Sequence, residues 1–162
     1  RRTNGHIIIT LSREFTPMPT LSETHIRNRY RVQPNDANNY ETLHGGELMK
    51  WMDELGAMSA MRFAGETCVT AGVDDLSFHR PVPVGETALI EAYVYAAGKT
   101  SVKVRLRAWR ENPRTGDTER TTGSCFTFVA LGEEGTPVAV PELTVETDEE
   151  RDLRERAREA ET

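Results

Sequence analysis

Between residues 47 and 63 the apolar positions fall at helical intervals. Leu48, Trp51, Met52, Leu55, Ser59 and Arg62 mark one face over about three turns. The spacing predicts a helix over about 47–63, opened by Gly45-Gly46 and stopped near Gly65. Gly56, Ala57 and Ala60 are small enough to let strands pack close against it. Elsewhere the period is two. Residues 24–33 set Ile26, Tyr30 and Val32 against Arg27, Arg29 and Arg31, with Asn28 interrupting the apolar side, and predict a first strand. The turn formers of residues 34–39 lead from it to the glycine pair. Residues 67–79 carry Val69, Ala71 and Val73, then Leu76 and Phe78. The change of phase predicts a bulge or bend at Asp74-Asp75. Residues 87–97 alternate Ala88, Ile90, Ala92, Val94 and Ala96 with Leu89, Glu91, Tyr93 and Tyr95. Gly98-Lys99 marks a tight hairpin. Residues 100–110 alternate Val102, Val104, Leu106 and Ala108 with Lys103, Arg105 and Arg107, and residues 119–131 read as the last strand.

The order is strand, one helix, then four antiparallel strands of a meander, which is an α+β class. A single long helix in such a chain must be wrapped by the sheet, since nothing else can cover it. The sheet keeps free edges, so protomers are expected to pair edge to edge. The domain is expected over 23–141. Residues 1–22 read as a poorly ordered leader, with Met18-Pro19 as an alternative start. Residues 142–162 read as an acidic tail, in which Thr147-x-x-Glu150 is a capping box opening a helix over 148–161. That helix has only Leu153 and a few alanines to bury, so it is expected to be solvated or partly disordered.

Charge narrows the partners. The net charge is −6, and residues 142–162 hold nine acids and four arginines of it, a net of −5. Such a balance argues against nucleic acid. No apolar run approaches the roughly 18 residues of a membrane span, and residues 6–11 are too short for a signal-peptide core, so the expected location is cytoplasmic, with no membrane partner. Cys68 and Cys125 fall in predicted strands and read as buried reduced thiols, not as a disulfide or metal site.

Ionisable groups on the helix are few. Asp53 adjoins the apolar positions Met52 and Gly56, while Glu54 lies toward Lys50 on the wet side. A carboxylate at the edge of a buried face is costly unless it is used or paired.

Asp36-Ala37-Asn38, His44-Gly45-Gly46, Met52-Asp53-Glu54-Leu55-Gly56, Val73, Asp75, Phe78, Arg80-Pro81-Val82, Gly85-Glu86 and Gly98-Lys99-Thr100-Ser101 follow one another with fitting gaps. Over roughly residues 24–131 this set resembles the hotdog-fold acyl-CoA thioesterases, and within them the cytosolic acyl-CoA hydrolase family. The resemblance implies a hotdog fold, a long central helix wrapped by a five- to six-stranded antiparallel sheet. It implies hydrolysis of an acyl-CoA to free fatty acid and CoA without metal or organic cofactor, coenzyme A being part of the substrate. It also implies a homo-oligomer with the dimer as its unit, often a trimer of dimers. A carboxylate on the helix and an asparagine before it carry catalysis in that family, and Asp53 and Asn38 stand in those positions. The family's ligand-binding segment corresponds to Gly98, Lys99, Thr100 and Ser101.

The chemistry requires an activated water and a stabilised oxyanion. Asp53 suits a general base or a direct nucleophile. The amides of Gly45 and Gly46 at the helix N-terminus suit oxyanion donors, and Asn38 can orient water or add a donor. His44, Arg80 and Pro81 are further candidates for substrate contact. Gly46 and Asp53 are seven residues apart, which is about 10 Å along a helix axis. One thioester cannot touch both within one helix, so two chains are expected to share a site.

Each residue also has an ordinary structural reading. Asp53 suits a paired or surface carboxylate, His44 a turn or cap, Asn38 a turn, and His79 the end of a strand. Arg80, Lys99, Arg105 and Arg107 suit a solvated strand face. Two rival functions stand beside this one: a hotdog enoyl-thioester hydratase, for which Asp74 and His79 have the spacing but lie in a predicted strand after the helix and not in a loop before it, and a non-catalytic acyl-CoA-binding protein, whose usual DNA-binding segment has no counterpart in the acidic tail and no helix-turn-helix pattern in the leader. An aryl-CoA thioesterase is a variant within the enzyme class.

Overall fold

The computed structural model describes residues 18–161. A short helix α1 (Leu21–Thr24) leads into β1 (Ile26–Arg31), and the long helix α2 (Gly45–Ala64) follows. Then come β2 (Thr67–Val73), β3 (Thr87–Ala97), β4 (Ser101–Glu111), β5 (Thr118–Leu131) and a C-terminal helix α3 (Asp148–Glu159). Helix α2 ends where Gly65 takes a left-handed φ of 69° and its N–H bonds the Met61 carbonyl. Its buried face is Leu48, Trp51, Met52, Leu55, Gly56, Ser59, Ala60 and Phe63. Phe63 thus replaces the expected Arg62, which is exposed. Lys50 reaches Glu47, at 3.9 Å, instead of the expected Glu54.

The five strands form one antiparallel sheet in the order β1-β3-β4-β5-β2, wrapped around α2. Only β3, β4 and β5 form a meander. Strand β2 crosses to the far edge and pairs with β5, so the expected simple meander is corrected. Strand β2 also stops at Val73. Its irregularity lies between Thr70 and Gly72, and residues 74–79 run on as an extended loop, so the expected bend at Asp74-Asp75 is the end of the strand. The register of β3 and β4 turns Ala88, Ile90, Ala92, Val94, Val102, Val104 and Leu106 toward α2. A Cβ on Gly56 would stand 2.9 Å from the Phe128 ring and 3.0 Å from Leu106, so glycine sets how closely the helix approaches the sheet.

The sheet's other face is covered too. Helix α3 packs there, with Ala157 and Leu153 against Leu21, Tyr93, Tyr95 and Cys125. The tail expected to be solvated is therefore packed, held by small side chains and by the Tyr93 hydroxyl donating to the Leu153 carbonyl at 3.0 Å. Packing also begins before residue 23, since Leu21 is fully buried. The rest of the expected leader, residues 1–17, lies outside the described residues. Glu150 ties the two terminal segments, accepting from the N–H groups of Ser22 at 2.9 Å, Glu146 at 2.6 Å and Thr147 at 3.2 Å. Burial pushes its pKa up, but these donors outweigh it and hold the pKa at about 2. Both cysteines are free and buried. Among the described residues no helix is long and apolar enough to cross a membrane.

Candidate active site

The loop before α2 is held by its own polar groups. The Asp36 carbonyl accepts from the His44 N–H at 2.8 Å, and the Asp36 carboxylate from the Gln33 N–H at 2.9 Å. Asn38 Oδ1 accepts from the Tyr40 N–H at 2.9 Å, the Thr42 N–H at 3.3 Å and the Thr42 hydroxyl at 3.2 Å. With that oxygen used, the Nδ2 amide is what Asn38 can offer a ligand. Glu41 closes the turn at φ 58°, a left-handed conformation that a non-glycine residue adopts only under constraint.

His44 is the N-cap of α2, and its Nδ1 accepts from the Gly46 N–H at 3.2 Å. The Gly45 N–H makes no hydrogen bond among the described residues. Of the two amides expected as oxyanion donors, one is therefore engaged within the chain and the other is open. A cavity of about 350 Å³ lies against this turn, and Asn38, Gly45, Leu48, Phe78, Arg80 and Pro81 contribute to its walls. Arg80 stands at the rim, largely exposed and 3.8 Å from Glu119.

Asp53 lies elsewhere. It is half-buried on α2 and accepts a hydrogen bond from the Thr70 hydroxyl on β2. The Gly98–Ser101 turn is also remote from the cavity. Its Gly98 N–H bonds the Ser101 carbonyl at 2.9 Å, and its Lys99 carbonyl accepts from the Val140 N–H at 3.0 Å. The sheet register explains the separation. Val102 pairs with Phe128 and Phe128 with Thr70, so the hairpin and the Asp53–Thr70 pair share one end of the sheet. The cavity reaches Thr121, seven residues along β5 from Phe128, or roughly 23 Å of strand. Within one chain the structure thus gathers Asn38, Gly45, Arg80 and Pro81, with His44 capping beside them. It leaves Asp53 and residues 98–101 apart.

Three readings from the sequence are corrected. Asp74 and His79 lie in the loop after β2 instead of a strand, and His79 borders the cavity, its N–H on the Thr121 carbonyl at 2.8 Å. Arg107 is not on a free solvated face: its Nε donates to Glu91 at 2.8 Å, beneath a carboxylate only 1% exposed. Arg105 is buried beside Cys125 on the same outer face. Thr70 was not singled out by the pattern, because a threonine in a strand carries no mark of what it will face.

Residues 40–116 match the thioesterase superfamily. The chain is 38% identical over 128 residues to the uncharacterized acyl-CoA thioester hydrolase YkhA of Bacillus subtilis, covering 79% of this chain and 74% of that protein. The acyl-CoA hydrolase of Staphylococcus aureus, solved with butyryl coenzyme A, coenzyme A and coenzyme A disulfide, superposes with a TM-score of 0.81. It is 33% identical, over 89% of this chain and 88% of that one. Variants of that hydrolase in which an asparagine, an aspartate and a threonine are each replaced by alanine superpose comparably. A hexameric acyl-CoA thioesterase superposes with a TM-score of 0.79 at 33% identity, over 87% of this chain and 90% of that one.

Proposed function

We propose the following chemistry for this chain, which belongs to the thioesterase superfamily and is an acyl-CoA thioester hydrolase. Asp53 is the general base. Thr70 fixes one of its oxygens and leaves the other to take a proton from water. The water attacks the thioester carbonyl, the oxygen of which gathers charge between the Gly45 N–H and the Asn38 amide. Collapse of the tetrahedral species expels the CoA thiolate, which takes up the proton held by Asp53, and releases the carboxylic acid. Backbone amides and side chains suffice for every step, with no metal or cofactor.

The replaced asparagine, aspartate and threonine of the S. aureus hydrolase are spaced by 15 and 17 positions, as are Asn38, Asp53 and Thr70 here. That agreement supports treating the three as one catalytic set, although one protomer keeps Asn38 apart from the other two.

Assembly resolves the separation. Strand β2 is a sheet edge, and Val69 and Val73 on it are exposed, as are Met49 and Met58 on the neighbouring helix. Antiparallel pairing of two β2 edges about a two-fold axis would turn one protomer end for end. The Asp53–Thr70 end of one chain, with its Gly98–Ser101 hairpin, would then meet the Asn38–Gly45 cavity of its partner. A dimer is therefore the proposed unit, and the hexameric relative supports a trimer of dimers. The observation that carries this reading is the open Gly45 amide and Asn38 walling one cavity while the base sits at the other end of the sheet. A thiol-release assay over acyl-CoAs tests the activity: free CoA appears with wild type, and absence of thiol release from every acyl-CoA would overturn it. A spectral change on crotonyl-CoA without free thiol would favour the hydratase instead.

A further inference from the structure

Thr121 is 2% exposed, yet its hydroxyl has no hydrogen-bond partner among the described residues. Buried hydroxyls are ordinarily satisfied, so an orphan needs a reason. Its neighbours show what a structural hydroxyl does on this strand. Thr122 donates to the Ser77 carbonyl at 2.6 Å and Ser124 to the Asp74 carbonyl at 3.1 Å, pinning the loop after β2. Thr121 helps that loop only through its backbone carbonyl, which accepts from His79. The register shows how it escapes the alternation. Ala108 pairs with Thr122 and Trp109 with Arg120, so Thr121 is the extra residue of a bulge. Bulges re-aim side chains, and this one puts Thr121 in the wall of the cavity that also holds Asn38 and Gly45.

We propose that Thr121 is a substrate-binding residue whose hydroxyl hydrogen-bonds the pantetheine amide nearest the thioester. The proposal rests on the acyl-CoA hydrolase reading and goes beyond its catalytic set. The chemistry of the two arms of the substrate selects the partner. A saturated acyl chain offers no polar atom beyond the thioester, so a hydroxyl facing it would stay unsatisfied. The pantetheine arm brings an amide N–H and carbonyl within a few bonds of the sulfur. Leaving the hydroxyl unpaired in the free protein costs stability that binding recovers.

Thr121→Val and Thr121→Ser test this, with CoA and butyryl-CoA as probes. CoA carries the arm without an acyl group. By calorimetry, Thr121→Val should weaken CoA binding roughly three- to tenfold, the loss of one hydrogen bond, while Thr121→Ser keeps it. KM for butyryl-CoA should rise by the same factor in Thr121→Val, with kcat changed less than about twofold. The melting temperature of ligand-free Thr121→Val should equal or exceed that of wild type, because the substitution removes an unsatisfied group. Unchanged CoA affinity in Thr121→Val overturns the assignment, even if KM rises, since the hydroxyl would then serve the acyl side. A lowered melting temperature with unchanged CoA affinity makes the hydroxyl structural and overturns it too. Calorimetry reads the anchor without turnover, so wild type that binds CoA but releases no thiol from acyl-CoAs would count against the hydrolase reading alone.

Discussion

The Thr70 hydroxyl on β2 donates to the Asp53 carboxylate on α2. The bond joins the sheet edge to the central helix just before the strand's irregularity at Thr70–Gly72. It gives the candidate base one fixed oxygen and therefore one orientation.

Thr70→Ala should thus lower kcat for acyl-CoA hydrolysis by roughly ten- to a hundredfold, with a smaller change in KM, since misplacing a catalytic group costs on that scale. Asp53→Asn should cost far more, and both proteins should still bind CoA. Steady-state kinetics with a melting curve for each variant checks this. Wild-type kcat in folded Thr70→Ala would remove Thr70 from the catalytic set.

Acid should unfold the protein through two buried carboxylates on the sheet's outer face. Glu91 is buried, which pushes its pKa up, but His25, Arg107 and Arg27 around it outweigh burial and hold it at about 2. Glu150 is held at about 2 by its amide donors. Both stand near 4.5 without those partners. A carboxylate with a depressed folded pKa stabilises fully above the unfolded value and loses that contribution as pH falls through the folded one. Stability should therefore fall between about pH 4.5 and pH 2, and less steeply in Glu150→Gln, which starts lower at neutral pH. Urea midpoints measured across that range check the slope. An equal slope in Glu150→Gln would show that Glu150 does not couple α3 to the acid transition.

What the sequence revealed and what it hid divide along a physical line. The α2 helix, its stop at Gly65 and the strands β3, β4 and β5 are local patterns, set by periods of 3.6 and two. Their ends fell within two residues of the expectation. Strand pairing is not local: nothing in residues 67–73 says that their partner is β5 and not β3. Packing of α3 was hidden because Ala157 and Leu153 make a small apolar face, sufficient only because Tyr93, Tyr95 and Cys125 wait opposite. The site followed the same division. Asn38, Gly45 and Asp53 stood in recognisable motifs, whereas Thr70 and Thr121 acquire their surroundings only when the sheet forms.

The separation of Asn38 from Asp53 leads to the sharpest test. If each site takes Asp53 and Thr70 from one protomer and Asn38 and Gly45 from its partner, two dead variants should complement each other. Asp53→Asn and Asn38→Ala are each expected to be nearly inactive alone. In a mixed dimer, one site combines both lesions and the other has neither. Random exchange makes half of the dimers mixed, and each regains one of two sites, so activity should recover to about a quarter of wild type in the exchange mixture and to about half in purified mixed dimers. The experiment needs two differently tagged variants, exchange confirmed by tandem purification, and thiol release measured on the purified mixed dimers. A site contained in one protomer predicts the opposite: every site in a mixed dimer then carries one lesion, and verified mixed dimers stay inactive. That result would detach Asp53 from the partner's cavity. It would also require a movement within one chain that brings α2's midpoint to Asn38, which the roughly 10 Å helix spacing from Gly46 opposes.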